Sequence, residues 1–256
     1  MIRELAENPN VHQRHSPGYE LHRDPDGRFA IYLAPGTGPE AATVQRVRLA
    51  TGAVEPALME IRALLTDRGR RGTEWELGES CTPADLVDRL LALGLRRIDH
   101  EPVSVGMVLR GLPAWELPAG VSARRVGSIE ELVVAREIQR EAFDDPRDID
   151  LQQAKRDFAR EGLTGSTYLA FVEGEAVAAG YAAYTDLGLI LFGGATLPRA
   201  RGRGAYRALV ATRAAEAATL GTPTLVTHAG RMSRPILDLL GFEPVARIDR
   251  LLDVLP

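Results

Sequence analysis

Apolar and polar positions recur along this chain at two periods, and each stretch predicts an element. Residues 1–26 are polar and weakly patterned, which predicts a loose N-terminal segment with at most one strand. Residues 28–33 read as a strand that ends at the turn-rich run 35–39, where Pro and Gly alternate. Leu58, Ile61, Leu64 and Leu65 share one face of a helix over 54–68. Residues 73–77 read as a short strand. Thr82 predicts an N-cap with Pro83 at the first helical position, Leu86, Leu90, Leu91 and Leu93 follow, and Gly94 ends that helix. Residues 103–109 read as a strand. The Gly/Pro-rich, aperiodic run after it is the predicted domain boundary.

The pattern sharpens beyond it. Residues 121–126 predict a strand. Ser128 and Glu131 form a capping box, and Val134, Ile138 and Ala142 continue the helix at a spacing of four. A more polar helix is predicted over 150–161. Strands over 166–172 and 176–184 are joined by a Glu173-Gly174 hairpin. Residues 187–197 are almost continuously apolar, so they predict a central strand buried on both faces. A helix follows over 204–220, a strand over 224–228, a helix opened by Ser233 and Pro235 and stopped by Gly241, and a last strand over 247–254. The order from residue 121 is β-α-α-β-β-β-α-β-α-β, an α/β class with a mixed sheet and helices on both faces.

Composition narrows the function. At 256 residues the chain is long enough for two small domains or one large one. The net charge of -4 argues against general nucleic-acid binding, which needs a basic surface. A single cysteine, Cys81, allows no intramolecular disulfide and no metal cluster, which suits a reducing cytoplasm. The first residues lack the apolar core of a signal peptide, and the 187–197 stretch is shorter than the roughly 20 residues that span a bilayer. The expectation is a cytoplasmic protein with neither membrane nor nucleic-acid partners.

The densest chemistry lies after the most apolar strand, in the run Pro198, Arg199, Ala200, Arg201, Gly202, Arg203, Gly204, Ala205, Tyr206 and Arg207. A helix start exposes about four unpaired N–H groups, and its dipole favours an anion. Glycine lets the backbone approach a phosphate closely, and arginines can pair with further phosphates. The physics predicts a polyanion on this turn without saying which.

Proline followed at this spacing by Arg201 and Gly204, after a buried strand, resembles the cofactor motif of the GNAT superfamily of acetyl-CoA-dependent N-acetyltransferases. The element order from residue 121 and the Leu240-Gly241-Phe242 ending resemble that family as well. Tyr206 stands where the family has a small residue. A literal match one step earlier, through Arg199, Gly202 and Gly204, has the wrong proline spacing. The resemblance implies that Arg201, Gly202, Arg203, Gly204, Ala205, Tyr206 and Arg207 bind the diphosphate of acetyl-CoA. It also implies that Gly194, Ala195 and Thr196 pair with the pantetheine arm, with Gly193-Gly194 as a bulge.

The implied reaction is attack of a primary amine, of a small molecule or a peptide, on the thioester in a ternary complex. An alkyl amine with a pKa of about 10.4 must first lose a proton. The family's usual tyrosine in the last helix is here Leu237. His228 is the leading proton acceptor, against a plain capping role. Ser233 is either a pantetheine contact or a plain N-cap. Tyr184, Asp186 and Tyr206 are weaker donors, and Asp144 and Asp145 could attract a cationic amine.

Residues 54–109 carry a helix-strand-helix-strand order that matches the order after Gly204, with Leu93-Gly94-Leu95 in the place of Leu240-Gly241-Phe242. This resembles the first half of tandem-GNAT proteins, with residues 48–56 lacking the paired glycines and arginines; a generic small α/β domain is the competing reading. The predicted organisation is a degenerate GNAT-like domain over 1–112, a linker over 113–120 and a catalytic GNAT domain over 121–256, as a monomer or homodimer. The rivals to an acetyltransferase are a non-catalytic module that senses CoA or acyl-CoA and a scaffold that offers its arginines to acidic partners.

Overall fold

The computed structural model describes residues 1–15, 18–111 and 115–255, so residues 112–114, where the first predicted domain ends and the linker begins, lie outside the described residues. The chain divides into two compact units. One comprises Met1–Met107 with His228–Pro256, and the other is Val108–Thr227. The last thirty or so residues, assigned by sequence to the second domain, thus group with the first unit. The reason is strand pairing that no local pattern reveals.

In the first unit, β1 (Glu20–Arg23), β2 (Ala30–Leu33) and β3 (Ala42–Gln45) run antiparallel in succession. β3 then runs parallel to β4 (Gly72–Gly78), pairing Thr43 with Glu74 and Val44 with Trp75. β12 (Glu243–Val254) lies antiparallel to β4 over seven residue pairs, from Ile248–Gly78 to Val254–Gly72. β6 (Val103–Arg110), whose residues through Met107 belong to this unit, follows β12, and the two-residue β5 (Arg96–Arg97) pairs with β12 off the main path. Helices α3 (Val54–Asp67) and α4 (Leu86–Ala92) cover a core that includes Ile31, Val44, Leu58, Ile61, Trp75, Leu90 and Leu251. Arg62 on α3 grips the buried carboxylate of Asp253 on β12 through two guanidinium nitrogens, at 2.7 and 2.9 Å. A bidentate charge-assisted pair of this kind fixes orientation as well as adding stability.

Several local expectations are corrected here. The N-terminal segment is ordered, as α1 (Ile2–Glu7), α2 (Pro9–His12) and β1. Helices this short are not stable alone; their order comes from burial of Leu5, Ala6 and Val11. Thr82 does not cap α4. It is bonded to the 47–49 segment, and the helix starts at Leu86 with Asp85 before it. Strands β3 and β5 were not foreseen, being four and two residues long.

In the second unit, β7 (Val121–Arg125), β8 (Gly165–Val172), β9 (Glu175–Tyr184) and β10 (Leu189–Thr196) form an antiparallel run, and β11 (Thr224–Ala229) lies parallel to β10. The last two residues of β11, His228 and Ala229, belong to the first unit. Glu173 and Gly174 both take positive φ in the β8–β9 hairpin, as a tight turn needs. α5 (Ile129–Ala142) opens as foreseen: Ser128 accepts from the Glu131 N–H, and Glu131 reaches back to the Gly127 N–H. Its buried face is Leu132, Ala135 and Ile138, whereas Val134 is exposed. α6 (Leu151–Phe158) is capped by Asp150. α7 (Ala205–Thr219) and α5 cover opposite faces of the sheet. A side chain at Gly193 would meet Gln139 of α5, and one at Gly194 would meet Tyr206 of α7. The order from β7 through α8 (Arg234–Leu239) to β12 is the one the sequence predicts. Among the described residues no helix is long and apolar enough to cross a membrane.

Arg213 on α7 is the unusual core residue, at 1% exposure. Its Nε donates to the Leu209 carbonyl at 3.0 Å and its Nη1 to the Tyr181 carbonyl at 3.3 Å, while Nη2 has no partner. Burial pushes its pKa down. A buried cation with no carboxylate on it is a poor source of stability, and an apolar residue of similar length often serves as well. Arg213→Met is therefore expected to melt at or above the wild-type temperature, whereas Arg213→Ala, which leaves a cavity, melts well below it. Thermal denaturation of both variants checks this.

Candidate functional site

The site begins where β10 leaves β11. The two strands pair at Leu189–Leu225, Ile190–Val226 and Leu191–Thr227, and the pairing stops there. The Thr227 hydroxyl donates to the Leu191 carbonyl at 3.0 Å and closes the last rung. Beyond it β10 is irregular. A bulge lies between Phe192 and Ala195, Gly193 has φ +57, and the Gly193 carbonyl accepts from Gln139 Nε2 at 2.8 Å. The strand is therefore central, as expected, but buried on both faces only through Leu191; Gly193 is exposed and Phe192 and Gly194 are half-buried. Among the described residues the buried Thr196 hydroxyl has no hydrogen-bond partner, which is costly for a polar atom.

After Thr196 a single 3-10 turn, Pro198–Ala200, leads to Gly202 at φ +77 and Gly204 at φ +90. Gly204 occupies the N-cap of α7, and no side chain caps the helix. Its first N–H groups thus lack intrahelical acceptors and point outward. Arg201, Arg203 and Arg207 are exposed, and among the described residues no carboxylate pairs with any of them. Arg199, by contrast, is spent on Glu175 at 2.7 Å and Glu141 at 3.4 Å. That division favours the register through Arg201 over the one through Arg199.

Tyr206, the bulky residue in a small-residue position, points at the sheet. A Cβ added at Gly194 would sit 2.8 Å from its ring. The missing side chain at 194 makes room for the ring at 206. The sequence shows each residue separately; their contact forms only when β10 and α7 pack.

His228 and Ser233 belong to the first unit. His228 Nε2 lies 2.9 Å from the Ala6 carbonyl, and Nδ1 faces the Glu76 carboxylate at 3.6 Å. Burial would raise the Glu76 carboxyl, but His228, Arg250 and Gln45 outweigh it and hold the pKa at about 2, against 4.5 for a free glutamate. A folded-state pKa below the unfolded one stabilises fully above pH 4.5, and that stability is lost as pH falls toward 2. Wild type is expected to lose melting temperature steeply below pH 5, and Glu76→Gln to flatten that slope; a thermal-melt series from pH 6 to 2 reads it. Ser233 does not cap α8 with its side chain; its hydroxyl accepts from the Gly230 N–H at 3.1 Å.

Leu237 is fully buried. Tyr184 is buried in a cluster with Ser166, Tyr168 and Glu216, its phenol pushed up to about 12 by burial and by Glu216. Asp144 and Asp186 are exposed. Asp145 is held at about 2 by its bonds to Arg147. Burial pushes the Cys81 thiol up, away from reactivity.

This arrangement, a strand pair that parts beside an arginine-rich helix start, is the fold of the GCN5-related N-acetyltransferases. The chain superposes on such a protein from Kribbella flavida with a TM-score of 0.64 at 22% identity, covering 99% of this chain and 95% of that one. A GCN5-related N-acetyltransferase from Sphaerobacter thermophilus gives 0.63 at 16% identity, covering 92% and 80%. A tandem GNAT protein from the clavulanic acid biosynthesis pathway, solved without AcCoA, gives 0.58 at 16% identity, covering 100% and 88%. No protein-family model matches the sequence, and no curated protein matches it. At these identities the likeness defines the fold, and function has to be argued from the site.

Proposed function

We propose that the turn at Arg201–Gly204 binds the diphosphate of acetyl-CoA and that the protein transfers the acetyl group to a primary amine, by direct attack in a ternary complex. The observation that carries this reading is the uncapped start of α7 with three exposed arginines that have no carboxylate of their own. Backbone N–H groups at a helix start and exposed guanidinium groups are together what a diphosphate requires; of the three, Arg201 also donates its Nε to the Thr196 carbonyl at 3.3 Å. A Cβ at Gly202 would face open space, and the positive φ of Gly202 and Gly204 shapes the turn. Gly194, Ala195 and Thr196 line the stretch of β10 that β11 no longer pairs, though β9 still does, where the pantetheine amides would lie and where the Thr196 hydroxyl would find a partner.

The thioester supplies the activated acyl carbon. The chain supplies orientation, and the irregular β10 backbone near Gly193 and Gly194 is the candidate donor to the developing oxyanion. His228 takes no proton in this reading, since Ala6 and Glu76 engage both its ring nitrogens. As the C–N bond forms, the thioester C–S bond breaks; the amine gives up its proton through water, and the departing thiolate takes one up from water and leaves as the CoA thiol.

A second reading, a CoA-sensing module without turnover, is favoured by one residue: Leu237 occupies the place of the family's proton-donating tyrosine and is buried. Thiol release from acetyl-CoA in the presence of an amine panel separates the two. Amine-dependent release supports the transferase, and binding without release across the panel supports the sensor.

A further inference from the structure

The first unit repeats the strand arrangement of the second, including the place where the strands part. β3 and β4 pair in parallel at Thr43–Glu74 and Val44–Trp75 and no further, as β10 and β11 pair only through Leu191–Thr227. We infer that this first wedge is a cofactor-type groove whose permanent occupant is the chain's own segment 5–10, and that the protein takes one CoA per chain. The count of one rests on the proposed function of the second unit; the occupancy of the wedge does not.

The segment bonds to both parted strands. On the β3 side, the Arg46 N–H donates to Asn8 Oδ1 at 2.8 Å, and the Asn10 N–H donates to Gln45 Oε1 at 3.1 Å. On the β4 side, the Ser80 N–H donates to Glu7 Oε1 at 3.3 Å, and its hydroxyl donates to the same carboxylate. Glu7 and Asn8 are each 1% exposed. Buried polar side chains persist only when they are bonded, and here Asn8 and Glu7 accept from the Arg46 and Ser80 N–H groups, just past the ends of β3 and β4.

The neighbouring strands are shaped for this occupant. A Cβ at Gly78 on β4 would sit 2.9 Å from the Glu7 side chain, and one at Gly106 on β6 would sit 2.6 Å from the Ala6 carbonyl. Glycine inside a strand marks close approach of another backbone. The wedge is also shut at its far end, where the Thr82 N–H donates to the Val47 carbonyl and the Leu49 N–H to the Thr82 carbonyl, each at 3.1 Å. Arg48, ahead of α3, is turned inward to Ser80 at 2.7 Å and Glu4 at 3.6 Å, so it is not offered to a phosphate.

Two measurements test this. Native mass spectrometry of the full chain with excess CoA is expected to show one CoA bound, and a second bound CoA overturns the inference. Hydrogen exchange reads the occupancy without any cofactor. Glu7→Ala/Asn8→Ala is expected to speed exchange at the Arg46 and Ser80 amides at least tenfold, while Ile190 and Leu191 in the second unit stay unchanged. Unchanged exchange at Arg46 and Ser80 overturns the inference. If the double variant fails to fold, Asn8→Ala alone is read at Arg46 in the same way. No CoA bound, with accelerated exchange in the variant, overturns the proposed function and leaves the occupied wedge standing.

Discussion

Gly204→Glu is expected to weaken acetyl-CoA binding at least a hundredfold, measured by isothermal titration. Three effects act together. The residue sits at φ +90, where a side chain costs about 1–2 kcal/mol. Its Cβ would lie 2.9 Å from the Pro118 ring. Its carboxylate would stand at the uncapped start of α7, where the diphosphate is proposed to bind. The control is Gly204→Ala, which carries the same strain and contact without the charge, and is expected to lose roughly tenfold. Equal losses in the two variants would mean that the effect is steric and that no anion binds there. Arg203→Ala and Arg207→Ala are expected to weaken binding less and to reduce its salt dependence, since each removes one exposed charge.

Glu216→Ala is expected to lower the melting temperature by about 5–15 °C, the largest stability effect of any single polar substitution in the second unit. The Glu216 carboxylate accepts from both Tyr168 and Tyr184, and Tyr184 lies 2.6 Å from the Ser166 hydroxyl. Tyr168 is 0% and Tyr184 5% exposed. Removing their shared acceptor orphans the buried Tyr168 hydroxyl, at about 1–3 kcal/mol, and costs Tyr184 one of its two bonds, leaving it only Ser166. Arg125, at 3.7 Å from the carboxylate but 45% exposed, adds little. Glu216→Gln keeps one acceptor oxygen and is expected to lose about half as much. Adding Tyr168→Phe to Glu216→Ala should recover part of the loss, because one orphaned hydroxyl is then gone. A melting temperature unchanged in Glu216→Ala would contradict the network.

The second unit was legible because its signals are local and redundant. Ser128 and Glu131 announce α5, Glu173 and Gly174 announce a hairpin, and Gly204 announces the start of α7. Each is a few residues of strong backbone chemistry beside a periodic run. The first unit was harder to read for two physical reasons. Its strands β3 and β5 are too short to show a period, and α1 and α2 owe their order to burial rather than to propensity. β12 could be foreseen as a strand but not as a partner of β4, since nothing in residues 243–254 encodes which edge they join. The candidate site divides in the same way. The polyanion turn is written in consecutive residues. The pairing of Tyr206 with Gly194, the commitment of His228 to Ala6 and Glu76, and the filling of the first wedge by Glu7 and Asn8 are contacts between distant positions.

The central claim is that the arginine-rich start of α7 is a CoA site, and titration of acetyl-CoA into the wild-type protein by isothermal calorimetry tests it most directly. The account predicts saturable micromolar binding at one site per chain, weakened by added salt. An absence of heat and of saturation at millimolar acetyl-CoA would contradict it, and would leave a GNAT fold whose arginines serve another anion.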